Sequence, residues 1–167
     1  MLSMRPLRPA AVALLVLYVP LVLWATLGPV PWAGEGYQAP DGVLDWRIWF
    51  DASTWTVGSE NEFTLNVLMF IPLGALLAVV IPGIIRPAML AFGLTVAIEL
   101  VQIPMADRIS DPRDLAANAF GALIGVVVAR LLLAVVRLAS PRVDDARSPA
   151  TARVADRQPE TSAARRG

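Results

Sequence analysis

The sequence contains no cysteine, no histidine and no lysine. The lack of cysteine and histidine excludes disulfides, thiolate nucleophiles, imidazole bases and the usual zinc sites. Any chemistry must therefore rest on carboxylates, amides, hydroxyls or arginine. The formal net charge is zero, with 14 basic and 14 acidic residues, which argues against a general attraction to nucleic acid. We expect no metal site, no cofactor and no nucleic-acid partner.

Long apolar segments dominate what is present. Apolar residues make up 56% of the chain and the mean hydropathy is +0.60, which is too apolar for an ordinary soluble domain. Residues 10–27, 65–85, 88–103 and 115–138 are each long enough to cross most of a roughly 30 Å hydrocarbon core as a helix. The sequence therefore predicts an all-α integral membrane bundle of four transmembrane helices.

A cleaved signal peptide is the alternative for the first segment, because Arg5 and Arg8 precede it. Against that alternative, the apolar run exceeds the roughly 7–15 residues of a signal peptide's apolar region, and no clean A-x-A cleavage site follows it. We therefore expect the first segment to be retained as a membrane span.

The distribution of arginine predicts the orientation of the four spans, because short loops rich in arginine stay in the cytoplasm. Ten Arg fall before the first span, between the second and third, and at or after the end of the fourth, whereas three fall in the other two loops and Arg130 lies deeper within the last span. Both termini are therefore predicted to be cytoplasmic. Residues 1–139 form the predicted membrane domain, and the tail 140–167, which has no aromatic residue, is predicted to be a disordered cytoplasmic tail.

The loop after the first span carries several aromatic residues, namely Trp46, Trp49, Phe50 and Trp55. Such side chains are favoured at the depth of lipid headgroups, because one part is apolar and another can hydrogen-bond. We expect this loop to lie on the outer membrane surface.

Polar side chains from separate segments are predicted to meet near the outer ends of the spans. The set is Asn66, Glu99, Gln102, Arg108, Asp111, Asp114 and Asn118. Glu99 and Gln102 are three residues apart on one helix face, and Asp114 and Asn118 are four apart on another. We expect all members except Asp111 to bind a ligand. If the protein is an enzyme, Glu99, Asp111 and Asp114 are the candidate catalytic residues.

Each of these residues also has a structural explanation. Asp111 stands directly before a proline and fits a helix N-cap, while Gln102 and Asn118 could bond across a helix interface, where such a bond contributes about 0.6 kcal/mol. Glu99 is harder to explain, because a carboxylate within an apolar span costs about 2.5–3.5 kcal/mol unless it is protonated or reaches the interface. Arg108 is the nearest cation in the sequence that could neutralise it.

Small residues and one proline are assigned to helix packing. The small pairs spaced four apart are Gly74 with Ala78, Gly93 with Ala97, and Gly121 with Gly125. This spacing lets helix backbones approach closely within a membrane. Pro72 removes a backbone donor from the second span, so we expect a kink in its outer half.

Three segments together resemble the VanZ-like family. Residues 66–74 are similar to its N-x-x-x-F-x-P-x-G segment, and residues 98–102 contain its E-x-x-Q element. Residues 108–125 resemble its R-x-x-D-x-x-D-L-x-x-N-x-x-G-x-x-x-G stretch. The resemblance is strongest over residues 66–125 and covers the predicted polar set.

The resemblance implies a small multi-pass protein of the bacterial cell membrane, in a family whose name-giving member is linked to low-level resistance to teicoplanin. It suggests a site for a membrane lipid or a lipid-linked envelope molecule. Two alternatives remain: an enzyme on a lipid-linked substrate, with Glu99 as general acid or base and Arg108 holding a phosphate or carboxylate, and a proton-coupled transporter or channel. Oligomeric state is not predicted by the sequence.

Overall fold

A computed structural model describes residues 7–29 and 40–139. Their helices are α1 (Leu7–Leu27), a short 3-10 helix (Gly42–Leu44), α2 (Ala52–Thr56), α3 (Glu60–Val80), α4 (Ile85–Gln102) and α5 (Pro112–Ala139). The tail predicted over residues 140–167 lies outside the described residues.

Four of these helices, α1, α3, α4 and α5, are long and apolar enough to cross a membrane. The described residues contain helices and no strand. The predicted all-α fold with four membrane spans is therefore confirmed, and the orientation of its termini stays a prediction. Helix α1 packs within the bundle: Val22 is fully buried, and the Tyr18 hydroxyl donates to the Met69 carbonyl at 2.8 Å.

Helix α3 begins and ends earlier than the apolar run at 65–85 suggests. Ser59 caps its first turn by accepting the Glu62 N–H at 3.4 Å, so the helix extends into the polar residues before the run. After Val80, Ile81 is extended and Gly83 has a φ of +88°, which turns the chain into α4. Helix α3 continues through Pro72, and the kink predicted there stays a prediction.

Glycines bring the backbones of α3 and α5 into direct contact. A Cβ added at Gly74 would overlap the carbonyl of Ala122, and a Cβ added at Gly125 would overlap the carbonyl of Ile71. Gly121 approaches α3 in the same way. Only glycine permits backbones this close, so α3 and α5 form the central pair of the bundle.

The packing role predicted for Gly93 and Ala97 is wrong. Both residues are exposed, and a Cβ added at Gly93 would have no atom within 4 Å. Helix α4 instead buries the face that carries Thr95 and Ile98. Small-residue spacing shows that a helix could pack closely, but it does not show which face meets a neighbour.

The four long helices form a ring in the order α1, α3, α5, α4. Their shared core contains Val22, Phe70, Leu73, Ala91, Ile98 and Ala122. Helices α1 and α4 end where α3 and α5 begin, and we name this end of the bundle the polar end. At the opposite end, the Arg130 guanidinium donates to the carbonyls of Ile81 and, at 2.8 Å, Gly83. It thereby satisfies carbonyls that follow the last turn of α3.

Candidate functional site

Arg108, in the loop before α5, closes the C-terminal end of α1. Its Nε donates to the Gly28 carbonyl at 3.2 Å, and its Nη2 donates to the Ala25 and Gly28 carbonyls at 3.0 and 2.5 Å. The final carbonyls of a helix lack partners within it and attract positive charge. Partial burial lowers the pKa of Arg108, although a guanidinium remains charged in proteins. The expectation that Arg108 neutralises Glu99 is wrong, because its hydrogen bonds go to α1.

Gln102 also bonds to α1. Its Nε2 donates to the Thr26 carbonyl at 2.9 Å, while the buried Oε1 has no hydrogen-bond partner. The Thr26 hydroxyl donates to the Val22 carbonyl at 2.9 Å, within the same final turns. Gln102 therefore joins the ends of α1 and α4, and its own acceptor atom remains unused.

Glu99 is buried near the end of α4, with 1% of its surface exposed. Its Oε2 accepts the backbone N–H of Asp111 at 2.9 Å, and the Ser110 side chain also hydrogen-bonds the carboxylate. Glu99 thus ties the end of α4 to the start of α5. The sequence analysis missed Ser110, which also accepts the Val43 N–H at 3.2 Å and so holds the 3-10 helix against the polar end.

Asp111 is the N-cap of α5. Its Oδ1 accepts the N–H of Arg113 at 2.8 Å, and its carbonyl accepts the N–H groups of Asp114 and Leu115 at 3.1 and 3.2 Å. Pro112 occupies the first helical position, where the missing N–H has no cost. Of the three candidate catalytic carboxylates, Asp111 is thus engaged in a structural bond. The enzyme interpretation, with Glu99, Asp111 and Asp114 as its candidate residues, stays a prediction.

Asp114 and Asn66 meet across the contact between α5 and α3. Both are half-buried, and the Asn66 side chain hydrogen-bonds the Asp114 carboxylate. Asp114 is also close enough to Glu99 for their charges to interact, and Glu62 acts on Asp114 in the same way. The structure therefore brings together residues from three helices that the sequence placed at one depth.

Asn118 lies deeper on α5, with 2% of its surface exposed. Its Nδ2 donates to the Thr95 hydroxyl at 3.0 Å, while its buried Oδ1 has no hydrogen-bond partner. Thr95 is fully buried on α4, four residues before Glu99. The sequence analysis missed Thr95, and the spacing of four from Glu99 on a shared helix face is the signal that could have found it.

The aromatic loop covers part of the polar end. The indole N–H of Trp49 donates to the Val43 carbonyl at 2.9 Å, and that of Trp55 donates to the Trp49 carbonyl at 3.1 Å. Trp46 and Phe50 are exposed and form an edge-to-face pair. These exposed rings suit the predicted position on a membrane surface, which stays a prediction.

The polar end contains acidic and amide groups without an arrangement suited to a metal. Among residues 7–29 and 40–139, no group of three or more acidic side chains is positioned to hold a metal ion. What the site offers a ligand is a set of hydrogen-bond acceptors: the carboxylates of Glu99 and Asp114 and the amide oxygen of Asn118.

Four apolar helices with a buried polar cluster at one end define a multi-pass membrane protein. The VanZ/LLP1 family model matches residues 15–133, and the chain belongs to that family. The family membership predicted from three short segments is thereby confirmed, over a region that runs from α1 into α5. Comparisons with curated proteins and with solved structures found no match.

Proposed function

We propose that this VanZ/LLP1 family member acts in the cell membrane of a bacterium, with its polar end facing outward. There it binds the headgroup region of lipid-anchored molecules, and it thereby lowers susceptibility to the lipid-anchored glycopeptide teicoplanin. The observation that carries this proposal is the buried cluster of Glu99, Asp114 and Asn118, in which the Asn118 amide oxygen has no partner.

The cluster is more polar than the fold requires. Arg108, Gln102 and Asp111 already close the helix ends, as their bonds to backbone groups show. A carboxylate within a membrane span costs about 2.5–3.5 kcal/mol, whereas a hydrogen bond between membrane helices contributes about 0.6 kcal/mol. Glu99 accepts hydrogen bonds from the Asp111 N–H and the Ser110 side chain, yet a carboxylate within a membrane span remains costly to bury. Polar groups retained at such a cost within a membrane are commonly functional.

A second observation that supports a lipid-like ligand is an apolar groove between α1 and α3, which is separate from the polar cluster. It has a volume of about 460 Å³. The lining residues are Leu14, Leu17, Tyr18, Leu21, Pro72, Ala75 and Leu76. They belong to α1 and α3, so the groove runs along membrane-spanning helices. An apolar groove at this position is suited to contact with an acyl chain of the bilayer.

The outward orientation is tested first, because it follows from the arginine distribution alone. A reporter fused at Gly167 is expected in the cytoplasm and one inserted near Gly36 outside the cell. With an even number of spans, an external C-terminus would move the polar end to the cytoplasmic face. The proposed site could then not meet molecules in the outer leaflet.

The functional test is expression in a susceptible Gram-positive host, with inhibition by teicoplanin and by vancomycin measured side by side. Teicoplanin carries an acyl chain that can anchor in the outer leaflet, and vancomycin does not. A site for lipid-anchored ligands is therefore expected to raise the inhibitory concentration of teicoplanin alone. An equal change for both drugs would instead indicate a general change in the cell wall.

Two variants with the same chemical change separate the site from the rest of the protein. Glu99→Gln replaces the buried carboxyl group by an amide at nearly constant volume, so it should leave membrane insertion intact and abolish the teicoplanin effect. Glu60→Gln makes the same change at an exposed position at the start of α3 and should retain the effect. Full activity of Glu99→Gln at normal protein level would remove the carboxylate from the proposed site.

A further inference from the structure

Hydrogen-bond acceptors outnumber donors at the polar end. The Asn118 Oδ1 atom is buried without a partner, and the carboxylates of Glu99 and Asp114 lie close enough for their charges to interact. A carboxylate can accept about four hydrogen bonds. The groups found on Glu99 are the Asp111 N–H and the Ser110 side chain, so acceptor capacity remains.

Asn118 lies one helical turn deeper than the two carboxylates. It is one helical turn from Asp114 on the same face of α5. Its amide is bonded to Thr95, which is one turn from Glu99 on the buried face of α4. The unpartnered oxygen and Glu99 therefore belong to the contact between α4 and α5, and Asp114, one turn nearer the start of α5, also meets Asn66 of α3.

The neighbouring arginines lie close enough to Asp114 for their charges to interact with it, but their hydrogen bonds go to other groups. Arg113 donates to the Val57 carbonyl at 3.4 Å and lies 5.6 Å from the centre of the Phe63 ring. Arg108 donates to carbonyls at the end of α1. The hydrogen bonds of both guanidinium groups thus leave the acceptors at Asn118 and Glu99 to other donors.

We propose that Glu99, Asp114 and Asn118 bind a primary ammonium group, such as that of an aminated lipid headgroup. This inference rests on the proposed function, since it names the ligand chemistry of the same site. A primary ammonium carries one positive charge and three N–H donors, which suit two carboxylates and one amide oxygen. A quaternary ammonium has the charge but no N–H donor, and a phosphate or hydroxyl headgroup lacks the positive charge.

The test measures lipid binding to the full chain, purified in detergent. Phosphatidylethanolamine, phosphatidylcholine and phosphatidylglycerol with identical acyl chains are titrated separately. Because hydrogen bonds to charged groups are among the stronger ones, phosphatidylethanolamine should bind at least about tenfold more tightly than phosphatidylcholine. Water-soluble phosphoethanolamine, titrated in parallel, shows whether the free headgroup suffices or the lipid is needed.

Matched variants test whether the preference for phosphatidylethanolamine arises at this site. Asp114→Asn removes one charge from the site, keeps the side-chain volume and should abolish the tenfold preference. Asp51→Asn makes the same change at an exposed helix cap in the aromatic loop and should retain it. Asn118→Leu removes the unpartnered oxygen and should also abolish the preference. If Asn118→Leu does not fold, Asp114→Asn still shows whether the preference for phosphatidylethanolamine depends on this site.

Three results would overturn the inference, and they differ in what they say about the proposed function. Equal binding of ethanolamine and choline lipids that is lost in Asp114→Asn would leave a lipid site without ammonium recognition. A preference for phosphatidylglycerol that is lost in Asp114→Asn would also leave a lipid site without ammonium recognition. Lipid binding that no site variant changes would remove the proposed lipid site as well.

Discussion

At each end of the bundle an arginine donates hydrogen bonds to carbonyls at a helix end, but the polar end contains more buried polar side chains. At the opposite end, Arg130 satisfies carbonyls that follow α3, and at the polar end Arg108 does the same for α1. The polar end then adds the buried side chains of Glu99 and Asn118 and the half-buried Asp114. One guanidinium is therefore enough to close a helix end. The additional groups at the polar end are those to which we assign the proposed ligand site.

The largest loss of folded protein is expected when the contact between α3 and α5, which extends to both ends of the bundle, is disrupted. In Gly125→Leu, the side chain would fall on the backbone of Ile71, so α3 and α5 could not approach. We expect loss of folded protein, measured as the monodisperse fraction in size-exclusion chromatography of the detergent-solubilised chain. Without folded protein, the two ends of the bundle could not be compared in this variant.

Gly93→Leu is the matched control for this loss, because a Cβ at Gly93 has no atom within 4 Å. It adds the same side chain to an exposed face of a membrane helix, where an apolar residue is favourable. Normal accumulation of Gly93→Leu beside loss of Gly125→Leu would assign the defect to the α3 and α5 contact. Equal loss of both would show that glycine is needed for another reason.

A smaller and equal effect is expected when either arginine cap is removed. Arg108→Gln and Arg130→Gln should each lower the free energy of unfolding by about 1–2 kcal/mol, because each leaves helix-end carbonyls without a charged donor. The ends are about 30 Å apart, since α3 has 21 residues at a rise of about 1.5 Å each. The double variant should therefore show the sum of the single effects.

Arg108→Gln and Arg130→Gln also test whether either arginine takes part in the proposed function. Neither substitution should abolish the selective teicoplanin effect once protein levels are matched. Loss of the effect in Arg108→Gln, with Arg130→Gln still active, would show that Arg108 contacts the ligand. The bonds of Arg108 to α1 would then be only part of its role.

The smallest effect on the free energy of unfolding is expected for a substitution in the middle of the bundle, between the two ends. Tyr18→Phe removes one hydroxyl that donates to the Met69 carbonyl, and a bond between membrane helices contributes about 0.6 kcal/mol. The free energy of unfolding should fall by about that amount, with no change in drug selectivity. A larger loss, as great as that of either arginine variant, would show that the middle of the bundle depends on this bond.

Much of the fold could be predicted from the sequence, because span length and apolar character are properties of single segments. The convergence of Asn66, Glu99 and Asp114 followed from their position relative to the span ends. The partners of Arg108 could not be predicted, since they are backbone carbonyls, which every residue carries. The spacing of Thr95 from Glu99 could have indicated a shared helix face, but it could not have shown that Thr95 faces Asn118 of α5.

The bond from Asp111 to Glu99 has a consequence for the order in which the chain is assembled. Glu99 lies on α4, the least apolar of the four long helices, and its backbone partner belongs to the start of α5. During synthesis α4 leaves the ribosome before α5, so the carboxylate must reach the bilayer before its partner. We therefore expect a chain that stops after Gln102 to insert α4 poorly, because the carboxylate then lies in the bilayer without its partner from the start of α5.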